Sequence, residues 1–181
     1  GREPSEVTLV AATKVQTSDT IRQAIAAGVT ICGENRVQEM TAHLDDDAYA
    51  GAALHFIGHL QTNKVRQVVG RVELIESVGS EHLLEAIEAQ AAKLELVQDI
   101  LLEVNIGGEA SKSGISPEEL SALAAQAVGS PHVRLRGLMA IPPVAAGPDG
   151  NRPFFAKMRQ LYVDIRSQML SLIHISEPTR L

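Results

Sequence analysis

Short apolar runs alternate along the chain with segments of helical periodicity, and no tight hairpin signal joins one run to the next. The runs are continuous rather than alternately polar, which is typical of strands buried on both faces of a parallel sheet. We therefore predict buried strands at six places. They cover residues 7–12, 29–32, 54–57, 72–75, 100–104 and 133–141.

The segments between these runs carry helix start signals. Ser18 and Ser80 are suitable N-caps, and Gly28 fits a helix end. The sequence Ser116-Pro117-Glu118-Glu119 has the pattern of a capping box with proline at the first helical position. A last helix is expected to open near Asn151 and Pro153. Its predicted apolar face contains Phe154, Phe155, Met158, Leu161, Tyr162, Ile165 and Met169.

A strand–helix order repeated about six times implies right-handed crossovers in an α/β fold. The pattern alone leaves open an open doubly wound sheet or a closed barrel. A complete (β/α)8 barrel usually needs about 250 residues and at least about 200. If the fold is a TIM-barrel-like one, this chain of 181 residues is expected to form an incomplete barrel. Residues 145–152 are expected to be a surface loop, so residues 1–170 form one domain.

The last segment, residues 171–181 (SLIHISEPTRL), breaks the apolar period of the preceding helix. It has neither a strand pattern nor a helix cap. Its letters are similar to translated adaptor sequence, so we predict that this segment is a non-native tail.

The charge and cysteine content limit the partners and the compartment. Sixteen Lys and Arg against 22 Asp and Glu give a net charge of −6, so no overall positive field attracts nucleic acid or anionic lipid. The longest apolar stretches span about half a dozen residues, far below the ~20 that cross a bilayer. Cys32 is the sole cysteine, and the first residues lack a secretion-signal pattern. We expect a cytoplasmic protein that binds a small metabolite, and neither nucleic acid nor a membrane.

Polar residues at the carboxyl ends of the predicted strands are the candidates for a site, because ligands bind at that edge in both parallel folds. The motifs GxGxxG, GxxxxGK[ST] and GxSxG are absent, which removes the usual support for dinucleotide, nucleoside triphosphate and hydrolase sites. The candidates are Thr13 and Lys14, residues 33–36, residues 58–61, Glu76 and Ser77, Asn105, and Met139 with Pro142 and Pro143.

Lys14 follows the first apolar run directly. Apolar walls around its side chain would favour the neutral amine, which is the nucleophile that condenses with an aldehyde. A strand-end lysine that simply reaches solvent is the alternative, and position alone favours it.

Three further groups of residues allow a functional and a structural interpretation. Residues 33–36 (GENR) place an acid, an amide and a guanidinium at a strand-to-helix turn, where an anion can bind; alternatively Glu34 pairs with Arg36. His55 and His59 have the spacing of helical zinc ligands, but they flank a strand, so no metal site is expected. Cys32 is expected to be a buried, inert thiol.

Five motifs taken together resemble the pyridoxal 5′-phosphate homeostasis protein family. They occur in order over most of the chain, so their combination is far more specific than any one of them. The motifs are LVAATK (9–14), GENRVQE (33–39), HFIGHLQTNK (55–64), EVNIGGEASKSG (103–114) and LRGLMAIPP (135–143).

The resemblance implies a barrel like the N-terminal domain of alanine racemase, with pyridoxal 5′-phosphate (PLP) held by Lys14 as an internal aldimine (Schiff base). By the same analogy Asn35, His59 in the segment from Gly58, and Met139 lie near the cofactor. The implied function is a monomeric, non-catalytic carrier and buffer in intracellular PLP homeostasis, which hands PLP to PLP-dependent enzymes. A PLP-dependent amino-acid racemase is the alternative.

The chain departs from the family pattern at both ends. Members of the family begin with a helix before the GR-x-P motif, whereas this chain starts at Gly1. They also continue into an SMGMS-type strand and a VRIG-type strand, which are expected to supply a phosphate cradle and an arginine facing the pyridine nitrogen. Neither strand occurs here, so about six βα units are expected.

Overall fold

The structure is a computed structural model, which describes residues 3–109, 112–144, 147 and 149–176, with side chains as far as Met169. Six strands alternate with helices. The strands are β1 (Ala11–Ala12), β2 (Ile31–Glu34), β3 (Ala53–Phe56), β4 (Leu74–Val78), β5 (Gln98–Glu103) and β6 (Val133–Met139). The α-helices are α1 (Ser18–Ala26), α2 (Val37–Asp45), α3 (Glu81–Lys93), α4 (Leu120–Gly129) and α5 (Arg152–Ser176), and short 3₁₀ helices cover Pro4–Glu6 and Thr62–Gln67.

The strands lie in one parallel sheet in the order in which they follow along the chain, β1-β2-β3-β4-β5-β6. A doubly wound sheet reverses its strand order at a switch point, whereas a barrel keeps sequential order. The observed order therefore selects the barrel-type fold from the two that the pattern left open. Within the described residues β1 and β6 each pair with one neighbour and not with each other, so the sheet is open, as expected for an incomplete barrel.

The predicted strands are confirmed, with one large difference in length. Residues 7–12 were expected to form the first strand, but only Ala11 and Ala12 pair with β2, opposite Cys32 and Gly33. Val7 and Leu9 are 61% and 75% exposed. In this register they lie beyond the start of β2, so no neighbouring strand is present for them to pair with.

The helix starts differ from expectation by small shifts. Thr17, not Ser18, caps α1 by accepting a hydrogen bond from the Thr20 N–H, whereas Ser80 caps α3 as predicted. The Ser116 hydroxyl oxygen accepts a 3.4 Å bond from the Glu119 N–H. That capping contact shapes a turn before α4, which itself begins at Leu120.

The last helix is longer than the sequence pattern indicated. The backbone of α5 continues through Ser176, well into the segment that was expected to start no regular structure. Residues 177–181 lie outside the described residues. That residues 171–181 are non-native stays a prediction.

The core lies between the sheet and its helices and is built almost entirely from aliphatic side chains. Among the described side chains of α5, Ile165 and Met169 are buried. The expectation that Phe155 and Tyr162 share this face is wrong, because they are 57% and 42% exposed. The largest fully buried apolar side chains are Phe56, Ile21, Met40, Leu60, Ile75, Leu84, Ile87, Ile100, Leu102 and Leu120.

Successive residues of a strand face opposite sides of the sheet. Ile75 and Ile100 are fully buried, while the residues beside them, Glu76 and Asp99, are only partly buried. On this second face Asp99 forms an ion pair with Arg134 at 2.6 Å. In the described part of the chain, no helix combines the length and the apolarity needed to span a bilayer.

Candidate functional site

The four residues proposed to surround the cofactor all lie at the carboxyl edge of the sheet. Lys14 follows β1, Asn35 follows β2, His59 lies in the loop after β3, and Met139 is the last residue of β6. Because the strands are parallel, their carboxyl ends meet at one edge. The fold therefore places these residues on one side of the molecule, although β1 and β6 are at opposite ends of the strand order.

Lys14 lies in a tight turn that closes directly after β1. The Gln16 N–H donates a 3.2 Å hydrogen bond to the Thr13 carbonyl oxygen, so the chain reverses around Lys14 and Val15. The Lys14 side chain is exposed. Of the two interpretations of Lys14, the structure agrees with the lysine that reaches solvent, which position alone favoured, and not with apolar walls around the side chain. The amine is accessible to a ligand that enters from solvent.

Glu34, the last residue of β2, is fully buried beneath this turn. Its Oε1 atom accepts 2.8 Å hydrogen bonds from the hydroxyls of Thr13 and Tyr49. The same oxygen lies 3.1 Å from Nδ1 of His43 on α2. The alternative in which Glu34 pairs with Arg36 is wrong, because Arg36 pairs at 3.1 Å with Glu39.

This buried cluster was not found by sequence reasoning. His43 and Tyr49 belong to no sequence motif that points to a buried cluster. Burial, together with the bond to Glu34, raises the pKa of Tyr49 far above its ordinary value. Burial, followed by the nearby Glu34 charge, also raises the pKa of Cys32. The prediction that the Cys32 thiol is buried is confirmed. That it is inert stays a prediction.

The ends of β2, β3 and β4 contact one another through backbone and small side chains. The Ser77 hydroxyl donates a 2.5 Å hydrogen bond to the Gly58 carbonyl oxygen. The Ile57 N–H donates a 2.8 Å bond to the Glu34 carbonyl oxygen. Between them lies Asn35, whose Oδ1 atom is buried and accepts no hydrogen bond from the described residues. This oxygen is free to accept a bond from a ligand.

A cavity of about 570 Å³ opens beside this contact, which is within the usual range for small-molecule sites. Glu103, at the end of β5, lies in the wall of this cavity and is only 6% exposed. It accepts a 2.9 Å hydrogen bond from the Ser113 hydroxyl. Burial raises the pKa of Glu103, while the Ser113 bond and nearby His59 oppose that rise. The cavity is lined by His59, Leu60, Gln61, Thr62, Asn63, Ser77, Gly79, Ser80, Leu83, Glu103, Ser113 and Gly114.

Met139 lies beside the end of β5, where the Val104 N–H donates a 2.8 Å hydrogen bond to the Met139 carbonyl oxygen. The neighbouring Asn105 donates a 2.9 Å bond to the Glu109 carbonyl oxygen and shapes the loop after β5. Its Oδ1 atom, like that of Asn35, is buried without a partner among the described residues. Two amide oxygens at this edge are thus available as acceptors.

The histidines of the HFIGH segment do not share a ligand site. His55 lies on β3 with Nδ1 2.7 Å from Oε1 of Glu76, and His59 is exposed at the cavity. Among the residues that the structure describes, no group of three or more His, Cys, Asp or Glu is arranged to hold a metal ion.

The sequential order of the parallel strands gives a barrel-type fold, and the family comparison assigns this domain to the alanine racemase N-terminal class. The model of the alanine racemase, N-terminal domain family matches residues 7–177. Alanine racemase of Clostridium difficile 630 has a TM-score of 0.75 at 10% identity, over 92% of this chain and 44% of that one. At that identity the likeness is one of fold alone.

Two more similar proteins narrow the class. The pyridoxal phosphate homeostasis protein of Aquifex aeolicus (strain VF5) is 39% identical over 177 residues, which cover 97% of this chain and 78% of that protein. PipY of Synechococcus elongatus PCC7942, solved with PLP bound, has a TM-score of 0.83 at 30% identity, over 93% of this chain and 78% of PipY. The chain belongs to the pyridoxal phosphate homeostasis protein family.

Proposed function

We propose that this chain binds PLP at the carboxyl edge of its sheet, through a covalent bond between the Lys14 amine and the aldehyde carbon. The observation that carries the proposal is the position of Lys14, exposed on a tight turn at the end of β1. PLP supplies an aldehyde, with which a primary amine condenses and releases water. Lys14 is the residue that presents such an amine directly after a strand at this edge.

Other residues at the same edge of the sheet fit a ligand of this kind in part, although Lys14 itself does not line the cavity. Asn35 offers a buried amide oxygen that no described residue satisfies, and a phenol hydroxyl on a ligand is a suitable donor. His59 and Thr62 line the cavity at the same edge and can donate hydrogen bonds, whereas the Ser77 hydroxyl already donates to the Gly58 carbonyl oxygen. Met139 supplies an apolar contact at the end of β6.

We propose further that the protein is a carrier and buffer rather than an enzyme. Racemisation needs a proton acceptor on one face of the substrate carbon and a donor on the other. Tyr49 is buried and donates a hydrogen bond to Glu34, and Tyr162 lies on α5 beside β6. Neither tyrosine in the described structure is placed to serve the second face opposite Lys14.

The same proposal includes the setting and the partners. A carrier hands PLP to PLP-dependent enzymes, acts as a monomer and works in the cytoplasm. The single, buried cysteine agrees with a reducing compartment, and the net charge of −6 disfavours nucleic acid as a partner. Light scattering of the purified protein at several concentrations gives its molar mass and so tests whether it is a monomer.

The test of the central proposal is to map the covalent bond. The protein is incubated with PLP, reduced with borohydride and digested, and the modified lysine is identified by mass spectrometry. The adduct is expected on Lys14 and is expected to disappear in Lys14→Ala, while Lys93→Ala, which removes an exposed lysine of α3, leaves it unchanged. An adduct found mainly on Lys64 or Lys112 would contradict the proposal.

A further inference from the structure

We propose that Glu39 and His43 of α2 are positioning residues that hold the Lys14 turn in place. The inference rests on the proposed function, in which the Lys14 amine bonds to the ligand. Neither Glu39 nor His43 is assigned a contact with that ligand. Each acts through the two residues that follow Lys14.

The two side chains contact both peptide units of the turn. Oε2 of Glu39 accepts a 2.9 Å hydrogen bond from the Val15 N–H. Nε2 of His43 lies 3.1 Å from the Gln16 carbonyl oxygen. Residues four apart lie on the same face of a helix, one turn from each other. A single face of α2 therefore fixes the chain immediately after Lys14.

The buried Glu34 contacts His43 on the ring nitrogen that does not face Gln16. A carbonyl oxygen only accepts hydrogen bonds, so Nε2 of His43 carries a proton and donates it to Gln16. Nδ1 then faces Oε1 of Glu34 and the hydroxyl of Tyr49, each at 3.1 Å. The Thr13 hydroxyl donates to the same Glu34 oxygen at 2.8 Å. Thr13, which precedes Lys14, and His43 therefore both contact one buried carboxylate. We call the contacts of Glu39 with Val15 and of His43 with Gln16 the clamp.

The turn needs such contacts because its backbone is strained. Val15 has a φ of +63°, in the left-handed region that is unfavourable for a β-branched residue. A strained conformation of this kind persists where surrounding contacts over-determine it. The Glu39 bond to the Val15 N–H is such a contact, and it acts on the residue next to Lys14.

The charges that face His43 come from β2 and from α2 with its C-cap residue. Glu34 approaches from β2, Glu39 from α2 itself, and Asp46 from the end of α2, with Tyr49 against the ring. Glu39 and Asp46 are in turn paired with arginines. The pairs are Arg36–Glu39 at 3.1 Å and Arg22–Asp46 at 3.2 Å.

Glu39 also gives the clamp a pH dependence with a definite sign. The Val15 N–H bond, followed by the Arg36 contact, lowers the pKa of Glu39 below its ordinary value, against the opposing effect of partial burial. A lowered pKa means that the bond is fully present above the ordinary pKa of glutamate and is lost as the pH falls through the lowered value. A glutamine at this position keeps an acceptor oxygen but does not titrate.

The first experiment measures hydrogen exchange of the Val15 amide in the full chain without ligand. Glu39→Ala is expected to speed this exchange about tenfold, the loss expected for a hydrogen bond to a charged group. Glu39→Gln, which keeps an acceptor oxygen but not the charge, is expected to have an exchange rate between those of the parent and Glu39→Ala at neutral pH. In acid the protection of the parent falls, whereas that of Glu39→Gln stays constant relative to the intrinsic exchange rate.

The second experiment measures the share of PLP–borohydride label on Lys14, with Lys93 as the internal reference. His43→Ala and Glu39→Ala are expected to lower the ratio of Lys14 to Lys93 label about tenfold. The matched control is His132→Gln, because His132 Nδ1 also contacts a carboxylate, Glu88, at 2.8 Å. His132 precedes β6 and lies at the opposite edge of the sheet, so its variant should leave the ratio unchanged.

The outcomes separate this inference from the proposed function. If the parent protein carries no label on Lys14, the proposed function is contradicted. The exchange rate of the Val15 amide in Glu39→Ala then still tests whether Glu39 holds the turn. Label on Lys14 that is unchanged in both alanine variants overturns the clamp, as does unchanged Val15 exchange in Glu39→Ala. Circular dichroism checks folding, and should His43→Ala unfold, the pair Glu39→Ala and Glu39→Gln decides the question.

Discussion

The backbone oxygen of Asn35 occupies the space in which a side chain at Gly58 would begin. An ideal Cβ atom on Gly58 would lie 2.2 Å from that oxygen and 2.5 Å from the Asn35 Cα. The loops after β2 and β3 can therefore pack together only because position 58 has no side chain. This contact sets the distance between Asn35 and the loop that carries His59.

Gly58→Ala is accordingly expected to destabilise the fold and to weaken PLP binding. A methyl group would force the two backbones apart, and overpacking of this kind costs about 1–3 kcal/mol. Urea unfolding measures the loss, and titration with PLP measures the change in Kd. Gly129→Ala is the control, because a Cβ there meets no atom within 4 Å. Equal stability of Gly58→Ala and the parent would show that the loops separate easily.

Val15→Gly is expected to stabilise the folded protein, although it removes a side chain. The side chain is 79% exposed, so little packing is lost. Left-handed backbone costs a non-glycine residue about 1–2 kcal/mol, and the extra chain entropy of glycine offsets about 0.5–1 kcal/mol of that gain. The net expectation is a gain of about 0.5–1 kcal/mol in urea unfolding.

A matched control for this strain is available at Val97, which is 52% exposed and has no positive φ. Val97→Gly is expected to lower stability, because glycine there relieves no strain and adds entropy to the unfolded chain. If both glycine variants lower the free energy of unfolding, the Val15 backbone carries no strain worth relieving.

Glu103→Gln is expected to change how stability depends on pH. Burial raises the pKa of Glu103 above its ordinary value of 4.5, so the folded state holds this proton more tightly than the unfolded state. Its contribution to stability is present below the ordinary value and is lost as the pH rises through the raised one. The glutamine variant lacks that loss, so its stability relative to the parent should increase from acidic to neutral pH.

Urea unfolding of parent and variant at several pH values tests this expectation. Differences between the two proteins cancel the titration of the other carboxylates. Glu85→Gln, which changes an exposed carboxylate of α3, is the control and should show a smaller pH dependence. A Glu103→Gln difference that is constant with pH would mean that Glu103 titrates normally.

The elements were largely predictable from the sequence, whereas the contacts that shape the site were not. The apolar runs that became β2 to β6 are long enough to dominate their own local structure, and the Ser80 cap is a local signal. The sheet order depends on how crossovers pack, so the pattern left two folds open. The five parallel pairings between consecutive strands resolved that question.

The Glu34 cluster illustrates why the rest was missed. Thr13 and Tyr49 lie 21 and 15 residues from Glu34 along the chain, and each belongs to a different segment. A buried carboxylate is costly without partners, but the sequence shows neither its burial nor which hydroxyls satisfy it. Lys14 was a candidate because it follows a predicted strand, and its role came from the family resemblance, while its exposure depends on the turn in which it lies.

No racemase turnover is expected from this protein. Lys14 can serve one face of a substrate carbon, but Tyr49 is kept protonated because burial and the bond to Glu34 raise its pKa. The remaining candidate for the second face is His59, which is exposed at the cavity near Glu103. The decisive measurement is Cα deuterium exchange on L-alanine in the presence of PLP, compared with free PLP. We expect equal rates, and His82→Ala, which changes an exposed histidine of α3, serves as the control. An exchange rate clearly above that of free PLP would contradict the proposal that the protein is a carrier. If His59→Ala lowers that rate and His82→Ala does not, His59 is the second proton-transfer group.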